Sequence, residues 1–76
     1  MAKAYVLISA ELGAEDNLVP RLRGTATIKE AHFVYGVYDV VAIVEAPTLD
    51  ELKQTIALKI RALPEVKSTL TMMAIE

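Results

Sequence analysis

Val40, Val41, Ala42, Ile43 and Val44 follow one another without a polar break, so a strand drawn through them is apolar on both faces. The same holds at both ends of the chain. Tyr5 and Leu7 oppose Val6 and Ile8 in the first apolar stretch, and Leu70 and Met72 alternate with Met73 and Ile75 in the last. An antiparallel sheet with one face in water reads polar on that face. A sheet built from these strands has no such face, so something must cover each side of it.

The available cover is limited. Residues 3–11, KAYVLISAE, alternate as a strand, with Ala4, Val6, Ile8 and Ala10 on one side and Tyr5, Leu7 and Ser9 on the other. Gly13 breaks the stretch. Asp16 or Asn17 is then placed to cap a short helix through LVPRLRG, with Pro20 in its first turn and Gly24 at its end. A second strand runs from about Thr27 towards Gly36, and DVVAIVEA returns antiparallel across a tight hairpin. PTLDELKQTIALKIRALPEV carries the strongest helical signal. Thr48 and Glu51 form a capping-box pair, and Leu49, Leu52, Ile56, Ile60 and Leu63 share one face. Lys59 and Arg61 suit its C-terminal end, and Pro64 stops it. VKSTLTMMAI is the fourth strand.

The order β-α-β-β-α-β predicts an α+β, ferredoxin-like sandwich, a four-stranded antiparallel sheet with two helices on one face. Two helices cover one face only. The other apolar face predicts a dimer that packs sheet against sheet about a two-fold axis. Size argues the same way, because 76 residues form one domain that buries only about 60% of its unfolded surface. The chain is 54% hydrophobic and has no cysteine, so neither disulfides nor thiolate zinc sites can make up the shortfall. Oligomerisation remains.

Several function classes are disfavoured. A single histidine, His32, makes a zinc or iron site improbable. The formal net charge is −2 and the eight basic residues are scattered, which argues against direct nucleic-acid binding. No apolar run approaches the roughly 20 residues of a membrane span. The N-terminal stretch alternates and contains Glu11, so it reads as the first strand of a cytoplasmic protein and not as a signal peptide. No nucleotide or phosphate motif is present, and no cofactor is expected. Catalysis would rest on His32 with Glu30 or Asp39 orienting it, and no nucleophile stands in a recognisable motif.

Two short stretches invite a binding reading. In FVYGVYDVVAIVEAP, Gly36 and Asp39 are ordinary turn residues, yet a glycine turn also exposes backbone N–H groups that can cradle an anion. Tyr38 would serve as a lid or as an interface anchor. In KSTLT, Thr69 and Thr71 are good strand formers, and the hydroxyls of Ser68, Thr69 and Thr71 also suit a carboxylate or ammonium group. Residue type alone leaves the two readings of the turn open and favours plain strand propensity for KSTLT.

VYGVYDVVAIVEAPTLDELKQTI followed by KIRALPEVKSTLTMMAI resembles the effector-binding (RAM) domain of the Lrp/AsnC transcription regulators. GVYD, ALPEV and STLTMMAI match its pattern in order and spacing, over nearly the whole chain. The resemblance implies a non-enzymatic, oligomeric sensor of an amino acid or related metabolite, built as a dimer or a ring of dimers such as an octamer or decamer. It implies a ligand site between subunits made by Gly36, Val37, Tyr38 and Asp39 with Ser68, Thr69 and Thr71. Backbone near Gly36 would hold a carboxylate and Asp39 an ammonium group. Full regulators of the family carry a helix-turn-helix domain that these 76 residues lack, so a stand-alone version that co-assembles with full-length regulators is expected. Glu65 stands where the family often has glycine, which bears on the helix-to-strand corner. Two alternatives share the strand order. One is an ACT-type regulatory domain using Gly13; the other is a small dimeric barrel enzyme with His32 and Tyr35 in an enclosed pocket.

Overall fold

The computed structural model describes residues 1–74, apart from the side chain of Glu15. Ile75, assigned to the last strand, lies outside the described residues. The elements are β1 (Ala2–Ala10), α1 (Glu15–Arg23), β2 (Ile28–Phe33), β3 (Val40–Ala46), α2 (Leu49–Thr55, widening into a π-helical segment Ile56–Arg61) and β4 (Val66–Ala74). They form the expected ferredoxin-like sandwich, with a single antiparallel sheet ordered β2-β3-β1-β4.

The period-two pattern sets the faces. Ala4, Val6 and Ile8 of β1 and Val40, Ala42, Val44 and Ala46 of β3 are all buried beneath the helices. Leu18, Val19 and Leu22 of α1 and Leu52, Ile56 and Ile60 of α2 complete that core. Directly opposed residues of an antiparallel pair share a face. Leu7 faces Val41 and Leu70, and Tyr5 faces Ile43 and Met72, so these six side chains lie together on the side without helices. Leu70 and Met72 are each 47% exposed there. A break in register between Ile28 and Glu30 sets Glu30 opposite Ile43 and His32 opposite Val41, on the same open face.

Thr48 caps α2 as expected, its Oγ1 accepting the Glu51 N–H at 3.2 Å. The apolar face begins later than predicted. Leu49 is at the first helical position and is half exposed, whereas Leu63 packs against the core margin. Leu52, Ile56 and Ile60 are spaced by four, which outruns a 3.6-residue turn. The wider π-helical turn takes up that drift and keeps Ile60 fully buried.

Three local expectations are corrected. The first helix begins at Glu15 with Ala14 at its cap, and Ala14 has no side-chain oxygen to donate to. Pro20 therefore lies inside the helix and not in its first turn; it is solvent-exposed, where its missing N–H costs least. Gly24 does end the helix, but with an ordinary φ of −78°. The β2–β3 connection is no tight hairpin: residues 34–39 make a six-residue loop, closed by Val34 N–H donating to the Asp39 carbonyl at 2.9 Å.

Glu65 secures the corner between α2 and β4. Its carbonyl accepts the Glu11 N–H at 2.8 Å and its carboxylate pairs with Arg21 at 2.9 Å, tying that corner to α1.

Candidate functional site

Asp39 does more than punctuate a turn. Its N–H donates to the Ile8 carbonyl and its Oδ2 accepts the Ala10 N–H, both at 2.9 Å. The side chain thus extends the β3–β1 ladder by one rung and satisfies a strand-end donor that would otherwise need water. One carboxylate oxygen is engaged in this way, and a carboxylate has lone pairs to spare for a further donor.

Around this clasp the loop presents an open depression of about 330 Å³ lined by Asp16, Phe33, Val34, Tyr35 and Asp39. Gly36 lies at the loop tip with φ +136°, a conformation that L side chains rarely adopt, and a Cβ placed there would meet nothing within 4 Å. Val37 is also exposed at the tip, and Tyr38 is half buried.

The hydroxyls of β4 stand at the same end of the sheet. Val40 of β3 opposes Ile8 of β1, which in turn opposes Thr69 of β4. The loop and the hydroxyls are therefore two strand spacings apart, roughly 10 Å. Ser68 opposes Ser9 and points to the open face; Thr69 and Thr71 point to the helix side. Ser68 and Thr69 line a second depression of about 370 Å³ with Arg61, Val66 and Lys67. Thr71 lines an adjoining one of about 360 Å³ with Lys53, Ile56, Ala57, Arg61 and Met73. Within one protomer the two groups of residues share an end of the sheet but are not brought into one of these depressions.

Two cationic residues also line the depression at the start of β4. Arg61 ends the helical segment and Lys67 is the second residue of β4; they converge on one depression only because the 62–65 corner folds them together. Lys67 adjoins Ser68 in the chain and so left a trace. Arg61 left none.

His32 and Glu30 pair at 2.9 Å, with side chains 52% and 57% exposed on the open face. Tyr35 is fully exposed. Among the described residues His32 and Tyr35 are thus exposed to solvent, and they do not line the enclosed pocket within the protomer that the enzyme alternative requires. Among the described residues no group of three His, Asp or Glu side chains is placed to hold a metal ion, and no helix is long and apolar enough to cross a membrane.

A model of the Lrp/AsnC ligand-binding domain matches residues 3–76. The chain belongs to that family, and its regulatory ligand-binding domain is the class the fold defines; the ACT-type alternative is set aside. No curated protein sequence matches. Among solved structures, the chain is similar to FFRP-DM1, at 41% identity and TM-score 0.95, over 99% of this chain and 100% of that one. It is similar to the hypothetical protein PHS023 from Pyrococcus horikoshii, at 41% identity and TM-score 0.94, over 100% and 92%. The transcriptional regulator NMB0573 from Neisseria meningitidis, in complex with L-Met, shares the fold at 9% identity and TM-score 0.87, over 99% of this chain and 50% of that one.

Proposed function

We propose that residues 1–76 act as one non-enzymatic ligand-binding domain that senses a free amino acid or related metabolite between subunits, in the control of transcription or amino-acid metabolism. The observation that carries this reading is a pair of incomplete, open half-sites at one end of the sheet, beside an apolar face with no cover of its own. Two protomers pack open face to open face. Dimers then join, as a ring such as an octamer or decamer, so that the loop of one meets β4 of another. Gly36, Val37, Tyr38 and Asp39 supply one wall, with backbone N–H groups for a carboxylate and the Asp39 carboxylate for an ammonium group. Ser68, Thr69 and Thr71 supply the other.

The L-Met complex of the Neisseria regulator, whose fold is shared, supports an amino-acid ligand. In this reading the protein is cytoplasmic and co-assembles with full-length Lrp/AsnC regulators, altering their DNA binding without touching DNA itself. A ligand that bridges dimers favours the assembly it completes, which couples binding to oligomeric state.

Light scattering on a sizing column, together with calorimetric titration of the twenty amino acids, tests the reading. The expected result is an assembly larger than a monomer that binds at least one amino acid and changes mass on binding. A monomer that binds none refutes it.

A further inference from the structure

We infer that the ligand carries a second acidic group, as in an acidic amino acid, and that the depression at the start of β4 receives it. This rests on the amino-acid-sensing reading above and narrows its ligand.

The depression holds two cations, Arg61 and Lys67, and two hydroxyls, Ser68 and Thr69, and no acidic side chain lines it. The chain has ten acidic and eight basic residues, so an excess of positive charge does not explain the pairing. The ion pairs among the described residues are Lys3 with Glu45, Arg21 with Glu65 and His32 with Glu30; neither Arg61 nor Lys67 enters one. Glu65, two residues from Lys67, is committed to Arg21 and its side chain is only 19% exposed. Arg61 also lines the adjoining depression with Lys53, so the positive lining continues along β4.

The chemistry of these groups matches a carboxylate. A guanidinium offers a planar fork of donors, an ammonium adds a point charge, and the Thr69 hydroxyl, on the helix side, adds a further donor. The carbonyls that end the helical segment at Arg61 are partially negative. They do nothing to hold an anion, so its retention depends on the Arg61 and Lys67 side chains. The loop half-site already answers the two charges common to every amino acid: backbone N–H for the carboxylate, Asp39 for the ammonium. The cations of β4 are left for a third. A lysine on an edge strand also guards against unwanted pairing, but that role is indifferent to the ligand's charge.

The test is calorimetric titration of the intact assembly with Asp, Asn, Glu and Gln, in the wild type and in Arg61→Gln, Lys67→Gln and Lys59→Gln. Lys59 lies away from the depression, so its variant controls for net charge. The expected result is at least tenfold tighter binding of an acid than of its isosteric amide. Arg61→Gln and Lys67→Gln each reduce that ratio, while Lys59→Gln leaves it unchanged. An amide that binds as tightly as its acid overturns the inference and leaves the sensor reading standing, as does an acid preference that survives both substitutions. Failure of all four ligands to bind overturns the inference, and failure of all twenty amino acids in the titration that tests the sensor reading overturns both. Circular dichroism identifies a variant that does not fold, and a wild-type amide that binds as tightly as its acid refutes the inference without any variant.

Discussion

Leu70→Asp is the sharpest test of how the open face is covered. Leu70 is 47% exposed on that face and stands opposite Leu7. Burying a whole leucine side chain is worth about 1.5–3 kcal/mol, so covering its remaining half contributes about 1 kcal/mol. A two-fold interface uses each residue twice, which makes the loss of the two leucines about 2 kcal/mol, or roughly 30-fold in the dimer dissociation constant. The aspartates add the cost of two like charges that the packed face would have to bury unpaired, a further few kcal/mol. The expected total exceeds about 4 kcal/mol, roughly a thousandfold. The protomer itself is spared, because an edge-strand side chain already half in water contributes little to its core. Sedimentation equilibrium over a dilution series reads the constant, and thermal melting by circular dichroism checks the fold. Leu58→Asp is the control, since Leu58 is 65% exposed and projects from the helical layer. A folded Leu70→Asp variant that keeps the wild-type constant refutes the proposed seam, as does a Leu58→Asp variant that weakens association equally.

Two further outcomes follow from single contacts. Asp39→Ala leaves the Ala10 N–H without its charged acceptor and is expected to destabilise the domain by about 1.5–3 kcal/mol. Asp39→Asn keeps an oxygen there and costs less, so equal losses in denaturant titration would show that the clasp is not what holds this end of the sheet. Thr48→Ala removes the cap on α2 and is expected to cost about 1 kcal/mol by the same titration. Thr48→Ser keeps a hydroxyl and should restore most of that loss.

Much of the fold was legible because burial imposes its own period. Ala4, Val6 and Ile8 announced the inner face of β1, and Thr48 the start of α2, since both signals are local. Errors arose where tertiary contact overrides local preference. Local preference places Pro20 in a first turn because isolated helices avoid it deeper, yet Leu18, Val19 and Leu22 bury enough surface to carry α1 past it. Leu49 fits the apolar periodicity but precedes the point where α2 settles on the sheet. The candidate site was half legible. GVYD and KSTLT mark stretches, and no local pattern states that Asp39 Oδ2 reaches Ala10, 29 residues away, or that Arg61 folds beside Lys67. Those are facts of topology.

β1 occupies a peculiar position in this arrangement. It alone lies between β3 and β4. The loop is pinned to its last residue by Asp39, and the hydroxyl-bearing end of β4 is laced to Ile8 and Ser9 just before it. A tug on either flank is therefore carried along one shared rail, whose outward rungs Tyr5 and Leu7 belong to the uncovered surface. Mechanical load at the rim and adhesion across the flat of the sheet thus run through the same nine residues.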